Sequence, residues 1–385
     1  LSSDAANRPP VILEYLQSMN SMGASDMYVT VDAPIALRVD DHISYPSDQR
    51  ISLDEVDSIL NSILTARQKR TFDVEMELNT SLDMGELGRF RVNVMRQRQK
   101  PAIVIRRIVS KIPGIRDLRL PSILESLSLE KRGLILLTGV TGSGKSTTLA
   151  SMIDYRNERE EGHIITIEDP IEYFHDHKRS IITQREVGVD TESYAIALKN
   201  ALRQRPDVML VGEIRDREVM EQAMMVTETG HLCLATIHTT NAYQAIERIV
   251  NLFPEELSSQ VRMNLSMNLK AIISQRLIPS VDGSLVPAVE VLLNQGLVRE
   301  LILKGEISKV RDVMEQNASS GMRSFDMSLL QLYNDGLISE ETVITNSDKP
   351  SDMKIKLQQQ KISKQDTSLT SALSGFDTSQ ISIGD

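Results

Sequence analysis

With 385 residues, 41% of them hydrophobic and 25% charged, the chain has material for two or three packed domains and is not a small stapled scaffold. A formal net charge of −10 argues against a surface that holds nucleic acid along its whole length. The single Cys233 excludes an internal disulfide and any zinc site built from cysteines. No apolar run reaches the roughly 18 residues of a membrane span, and the N-terminus lacks a charged segment followed by an apolar one. The expected location is cytoplasmic, without direct membrane insertion.

Apolar spacing predicts a first helix over residues 11–22, with Ile12, Tyr15, Leu16 and Met19 on one face. Extended pieces at 27–31 and 36–39 flank a turn at Pro34. A second helix is predicted over 53–64, striped by Val56, Ile59, Leu60 and Ile63. Gly85 and Gly88 frame a turn into 89–94, which alternates strictly: Phe90, Val92 and Val94 face one way, Arg89, Arg91 and Asn93 the other. Residues 102–108 make a partner strand that carries Arg106. Such a mixture predicts an α+β domain over 1–112, and Pro113 and Gly114 mark 113–117 as the linker.

Beyond the linker, runs apolar on both faces at 134–138, 164–167, 208–211 and 232–237 alternate with amphipathic helices such as 192–204. Central strands of a parallel sheet covered on both faces read this way, so the expected fold class is α/β over 118–296. Within that stretch a long helix is expected at 255–275, then a hairpin of 277–281 with 285–293 around Asp282-Gly283. Residues 297–349 read as a small helical region. From 350 to 385 Ser, Thr, Gln and Lys dominate, which predicts a disordered tail.

Between the first of those strands and its helix lies Gly139-Val140-Thr141-Gly142-Ser143-Gly144-Lys145-Ser146, which fits the phosphate-loop pattern in the context the pattern needs. Gly139, Gly142 and Gly144 let the backbone curl so that successive N–H groups, those of Thr141 and Ser143 among them, point inward at phosphate, and the helix N-terminus adds positive charge. Lys145 is expected on the β- and γ-phosphates, Ser146 on Mg²⁺ and Thr147 on the α-phosphate of ATP. The other three strands end in Glu168-Asp169-Pro170, Gly212-Glu213-Ile214-Arg215-Asp216 and His238-Thr239-Thr240. Phosphoryl transfer needs a group that orients water, a carboxylate on the metal side and a γ-phosphate contact; Glu168, Glu213 and His238 are assigned to these in turn. A carboxylate after a strand is ordinarily a solvated loop residue or cap. The shared position beside the loop favours the catalytic reading. His231 is placed with the nucleotide-binding residues, although a histidine beside an apolar strand, His238 included, is commonly a hydrogen-bonded packing residue; His175 and His177 read as surface.

These stretches, with Ile165 through Glu172, Arg205-Pro206-Asp207 through Asp216, and Thr229-Gly230-His231 through Thr239, resemble in order and spacing the Walker A, Asp box, Walker B and His box of the secretion and type IV pilus ATPase superfamily. Gly212 stands where many Walker B motifs have Asp. The stretch Gly88-Arg89-Phe90-Arg91-Val92-Asn93 is similar to the PAS-like domain of its retraction branch, the PilT/PilU group. One cysteine cannot build the four-cysteine zinc insertion of the extension and type II secretion branches. Against the group's Ala-Ile-Arg-Asn-Leu-Ile-Arg segment, residues 296–303 keep Arg299, Leu301 and Ile302, a departure that with the long tail looks more like the PilU side.

The resemblance implies a RecA-like ATPase core behind a PAS-like domain, and a homo-hexamer with ATP between one subunit's α/β domain and its neighbour's N-terminal domain. It also implies work beside a PilT-like retraction ATPase and docking at the inner membrane through a platform protein. Arg89, Arg91 and Arg106 would then supply positive charge in trans to the departing phosphate. Two alternatives stay open: a RecA-type nucleic-acid translocase, and a nucleotide-dependent assembly module without motor activity.

Overall fold

Alternation in the N-terminal part becomes an antiparallel sheet. The computed structural model describes residues 10–39, 42–108, 111–317, 320–360 and 362. It divides into two units, one reaching Ile112 and taking in Glu172–Phe174, the other formed by the rest from Pro113 onward.

In the first unit six strands, β1 (Asp26–Thr30), β2 (Ala36–Val39), β3 (His42–Ser44), β4 (Glu77–Asp83), β5 (Arg89–Gln97) and β6 (Lys100–Ile108), lie in the order β3-β2-β1-β6-β5-β4. The period of two puts Phe90, Val92, Val94, Ile103 and Ile105 on a buried face. They share one core with Ile12 and Leu16 of α1 (Pro10–Ser21) and with Val56 and Ile59 of α2 (Leu53–Ile63). Helix α3 (Ala66–Glu75) has no clear apolar stripe. It forms because Thr65 and Gln68 make a reciprocal capping box, as Ser52 and Glu55 do for α2.

The second unit is built on seven strands in the order β13-β12-β7-β11-β10-β8-β9. Strands β7 (Gly133–Thr138), β8 (Gly162–Glu168), β9 (Ser180–Glu186), β10 (Val208–Val211) and β11 (Leu232–Ile237) are parallel, as is β12 (Leu269–Pro279) to β7. Strand β13 (Leu285–Leu293) returns antiparallel to β12. Every residue of β7, β10 and β11 is buried, and only Thr138 and Thr236 among them carry a hydroxyl. Helix α4 (Ile123–Ser128) precedes β7, and helices α5 (Lys145–Asn157), α6 (Tyr194–Ala201), α7 (Arg217–Glu228) and α8 (Ala242–Asn251) follow β7, β9, β10 and β11 in turn.

Two expectations fail here. The helix expected at 255–275 is α9 (Ser258–Asn268), entered through a 3₁₀ turn at Glu255–Leu257, and the chain becomes strand from Leu269. Leu269, Ala271, Ile272 and Ile273 are buried beside β7, and the demand for an inner parallel strand overrides the apolar spacing that would prolong the helix. The expected tail, too, opens as a helix over 350–360. Met353 and Leu357, one turn apart, are buried with Phe325, Leu329 and Ile278, so two apolar residues seat an otherwise polar helix. Residues 363–385 of that tail lie outside the described residues.

Candidate phosphate-binding and hydrolytic site

Strand β7 feeds directly into the glycine loop, and α5 starts at Lys145. Gly139 (φ 151°) and Gly144 (φ 85°) hold backbone conformations that an L side chain resists. A Cβ on Gly139 would stand 2.5 Å from the carbonyl oxygen of Gln275, and one on Gly144 2.7 Å from Gln275 Nε2. Lys145 is buried and donates from Nζ to the carbonyl oxygens of Gly139 at 2.8 Å and Val140 at 2.9 Å. Ser143 Oγ is buried with no hydrogen-bond partner among the described residues, and so is Thr138 Oγ1 at the end of β7. An ammonium curled over its own loop, an orphaned hydroxyl and the first N–H groups of α5 suit a ligand with several anionic oxygens. The residues present therefore fit a triphosphate.

Three neighbouring strands end at this same carboxyl edge. Glu168 closes β8, where Thr166 Oγ1 donates to its Oε1 at 2.6 Å and Gln184 Nε2 approaches the same oxygen at 3.3 Å. Glu213 follows β10; its Oε2 accepts from Arg215 Nε at 2.7 Å and its Oε1 lies 3.0 Å from His238 Nε2, just past β11. Arg215 also reaches Asp169 at 3.3 Å, so it ties the β8 and β10 loops together. The guanidinium pKa rises above its ordinary value chiefly because of that bond to Glu213. Tyr194 lies among these carboxylates; burial first and the Asp169 charge next hold its phenol well above the ordinary range, so it stays neutral. Gly212 belongs to the same packing, since a Cβ there would meet the Tyr194 hydroxyl at 2.8 Å and the Glu168 Cα at 3.2 Å. A Walker B aspartate has no room at this position.

The loop residues, Glu168, Glu213 and His238 are thus brought to one edge of the sheet. His231 is not. It precedes β11 and passes its carbonyl to Gly133 N at the start of β7, so it sits at the amino edge, roughly 20 Å from His238 at about 3.3 Å per strand residue. There it bonds to Thr229 and lines a cleft of ≈ 810 Å³ with His163, Lys178 and Asp207. Arg89, Arg91 and Arg106 lie on the sheet of the first unit. Arg106 pairs with Asp26 at 2.7 Å and Arg89 with Asp83 at 2.9 Å, while Arg91 faces Arg106 across the β5–β6 ladder. Among the described residues Arg91 has no ion-pair partner.

Four residues of this edge are not legible from motif spacing. Arg215 lies inside the Gly-Glu-Ile-Arg-Asp stretch without a role that the stretch announces. Gln184 comes within reach of Glu168 only when β8 and β9 pair, whereas Thr166 reaches it because residues two apart share a face of β8. Gln275 arrives from β12, which flanks β7 on the side away from β11, and Thr148 Oγ1 donates to its Oε1 at 2.7 Å.

The chain is similar to known proteins over most of its length. The family model described as type II/IV secretion system protein matches residues 2–320. The type IV pilus ATPase PilU of Pseudomonas aeruginosa is 44% identical over 362 residues, 93% of this chain and 95% of that one. The type IV pilus retraction ATPase PilT of the same organism is 38% identical over 330 residues, 86% and 96% of the two chains. Among solved structures, the crystal structure of the pilus retraction motor PilT with bound ADP superimposes with a TM-score of 0.84 at 42% identity, covering 89% of this chain and 98% of that one.

Proposed function

This chain belongs to the type II/IV secretion system protein family, and on that premise we propose that it is a pilus retraction ATPase of the PilT/PilU type. It hydrolyses ATP at the carboxyl edge of its parallel sheet and uses the cycle to drive or assist retraction of a type IV pilus. The carrying observation is the convergence of Lys145, Glu168, Glu213 and His238 on four adjacent strand ends. Lys145 and the loop N–H groups of Gly139 through Gly144 hold the β- and γ-phosphates, and Thr147 the α-phosphate. Ser146 would hold Mg²⁺, with Glu213 on its outer side through water; the ion supplies charge that offsets the phosphates. Glu168, fixed by Thr166, orients the attacking water. His238, linked to Glu213, reports whether a γ-phosphate is there. The second unit is read as a RecA-like core and the first as a PAS-like domain.

The working form is a homo-hexamer in which Arg91 reaches a neighbour's nucleotide, with Arg89 and Arg106 supporting it from their own ion pairs. Arg106 has Asp26 as its counter-ion, whereas Arg91, directly opposite it on the ladder, has no ion-pair partner among the described residues, which supports this role for Arg91. No helix among the described residues is long and apolar enough to cross a membrane. The ring is placed in the cytoplasm, docked peripherally on an inner-membrane platform protein beside a PilT-like motor. The likeness to PilU extends over more of the chain than the likeness to PilT, which favours the assisting role. Deleting the gene should leave cells with excess surface pili, and Lys145→Ala should reproduce this while abolishing ATP turnover. Bald cells, or a Lys145→Ala strain with normal pili, would sink the proposal.

A further inference from the structure

Glu168, the carboxylate assigned to orient water, stands directly opposite Glu186 on the β8–β9 ladder, and Thr166 stands opposite Gln184. Residues two apart on a strand share a face, so all four side chains lie on the same one. Like charges side by side repel, and the two carboxylates are drawn apart by different donors. Glu186 Oε2 accepts the N–H of Ile171 at 3.1 Å. Glu168 turns its Oε1 back along β8, to the hydroxyl of the wholly buried Thr166 at 2.6 Å and to Gln184 Nε2 at 3.3 Å.

Gln184 differs from Thr166 because a carboxamide has a donor end and an acceptor end. Turned over, it would set its own oxygen against that of Glu168. The N–H of His175 prevents this by donating to Gln184 Oε1 at 2.9 Å, so two separate partners agree on one orientation of the amide. His175 is not the surface residue that its polar surroundings suggest. Its Nδ1 is buried without a hydrogen-bond partner among the described residues, and burial lowers the ring's pKa from 6.5 to about 4, which keeps it neutral.

The backbone of His175 is also the place where the chain re-enters the second unit. Glu172–Phe174 are counted with the first unit, and Ile171 and His175 flank them. Both flanking residues donate their N–H groups to β9 side chains, Ile171 to Glu186 and His175 to Gln184. Within the first unit, the Arg89 guanidinium lies over the Phe174 ring, 3.9 Å from its centroid.

We infer that Gln184 is a positioning residue for Glu168, and that its amide transmits the placement of the 172–174 segment to that carboxylate through the His175 N–H. The inference rests on the reading of Glu168 as the group that orients water. While His175 holds the acceptor end, the donor end stays on Glu168. When His175 withdraws, the amide loses the partner that sets its polarity and Glu168 keeps Thr166 alone. Turnover depends on these bonds, whereas the phosphate loop, on another strand, does not.

The test is steady-state hydrolysis of Mg·ATP by the full chain, with calorimetric nucleotide binding beside it. Gln184→Met keeps the length of the side chain and loses both hydrogen bonds. Its kcat should fall on the order of tenfold with KM and binding unchanged, which also certifies the fold. Gln184→Glu keeps an acceptor for the His175 N–H and loses the donor to Glu168. Assayed at about pH 8.5, where both carboxylates are ionised, it should be at least as slow as Gln184→Met. Parental turnover in Gln184→Glu would make Gln184 an anchor for the loop and overturn the positioning role. Phe174→Ala probes the segment: it should slow the parent several-fold and add nothing further in Gln184→Met. Independent effects of the two substitutions, or parental kcat in Phe174→Ala, overturn the transmission. Glu168→Gln separates these outcomes from the assignment beneath them. Parental turnover in that variant removes Glu168 from its role and the inference with it, whereas an inactive Glu168→Gln beside a parental Gln184→Met overturns the inference alone.

Discussion

Gly212 illustrates how a single missing atom shapes the hydrolytic edge. Its hydrogen faces the Tyr194 hydroxyl and the Glu168 backbone, so Gly212→Ala must shift one of them by several tenths of an ångström. Because the phosphate loop hangs from a different strand, nucleotide affinity should persist while turnover falls on the order of 100-fold, the usual penalty of a misplaced catalytic group. Calorimetric binding beside steady-state hydrolysis separates the two, and unaltered turnover would remove Glu168 from its assigned role. Glu290 makes a second prediction. It is buried on β13, where its Oε1 accepts from Ala242 N at the head of α8 at 2.8 Å and from Ser274 Oγ at 3.1 Å. Burial raises its pKa from 4.5 to about 7. Between those values the folded chain keeps a proton that the unfolded chain has lost, so stability falls as pH rises through that window. Above it the cost is on the order of 3 kcal/mol. Glu290→Gln keeps an acceptor and has no charge to bury. Whatever constant offset the amide introduces, the variant's melting temperature relative to the parent should be higher near pH 8 than near pH 5, and a difference independent of pH would refute the ionised burial.

Among the elements, the helix over 350–360 has the least sequence support and a definite job. Met353 and Leu357 close a satellite core over β12, β13 and the helix Phe325–Asn334, where Phe325 is wholly buried. Leu357→Ala should therefore cost about 2–5 kcal/mol in the stability of this subdomain, while substitution of the exposed Ile355 should cost almost nothing. Urea unfolding of the two variants decides it; equal effects would mean that the helix does not pack in solution. Strand β12 shows the same dependence on a partner. The spacing of Val261, Leu265 and Leu269 extends a helical period toward 275, yet an unpaired edge on β7 and a hairpin with β13 draw the segment into the sheet.

For the assembled protein, the row Asp26, Arg106, Arg91 and Ser81 across β1, β6, β5 and β4 matters most, because it puts two guanidinium groups side by side with one carboxylate between Arg106 and β2. Arg91→Ala should leave the melting temperature unchanged or slightly higher, since a like-charge neighbour is removed, and should lower turnover only in the ring. Mixing Arg91→Ala with Lys145→Ala subunits gives a sharper measurement. If the arginine acts on the neighbour's nucleotide, some mixed interfaces join an intact loop to an intact Arg91 and activity returns. Mixtures as inactive as their components would confine Arg91 to its own subunit.

Local patterns carried much of this molecule. The phosphate loop, its flanking strand and helix, the unbroken apolar strands and the polar residues that end them are each written within a dozen consecutive residues, because tight turns and inner strands tolerate few alternatives. The placement of Glu168, Glu213 and His238 at one edge was readable for that reason: a parallel sheet sends the residues at the end of every strand to the same side. Gln275, Gln184 and the helix over 350–360 depend on neighbours far away in sequence, and no local period encodes a partner that only folding supplies. His231 shows the same limit from the other side. A histidine one residue before a strand and a histidine one residue after it look alike in the chain, and the direction of the strand in the sheet separates them by its whole length.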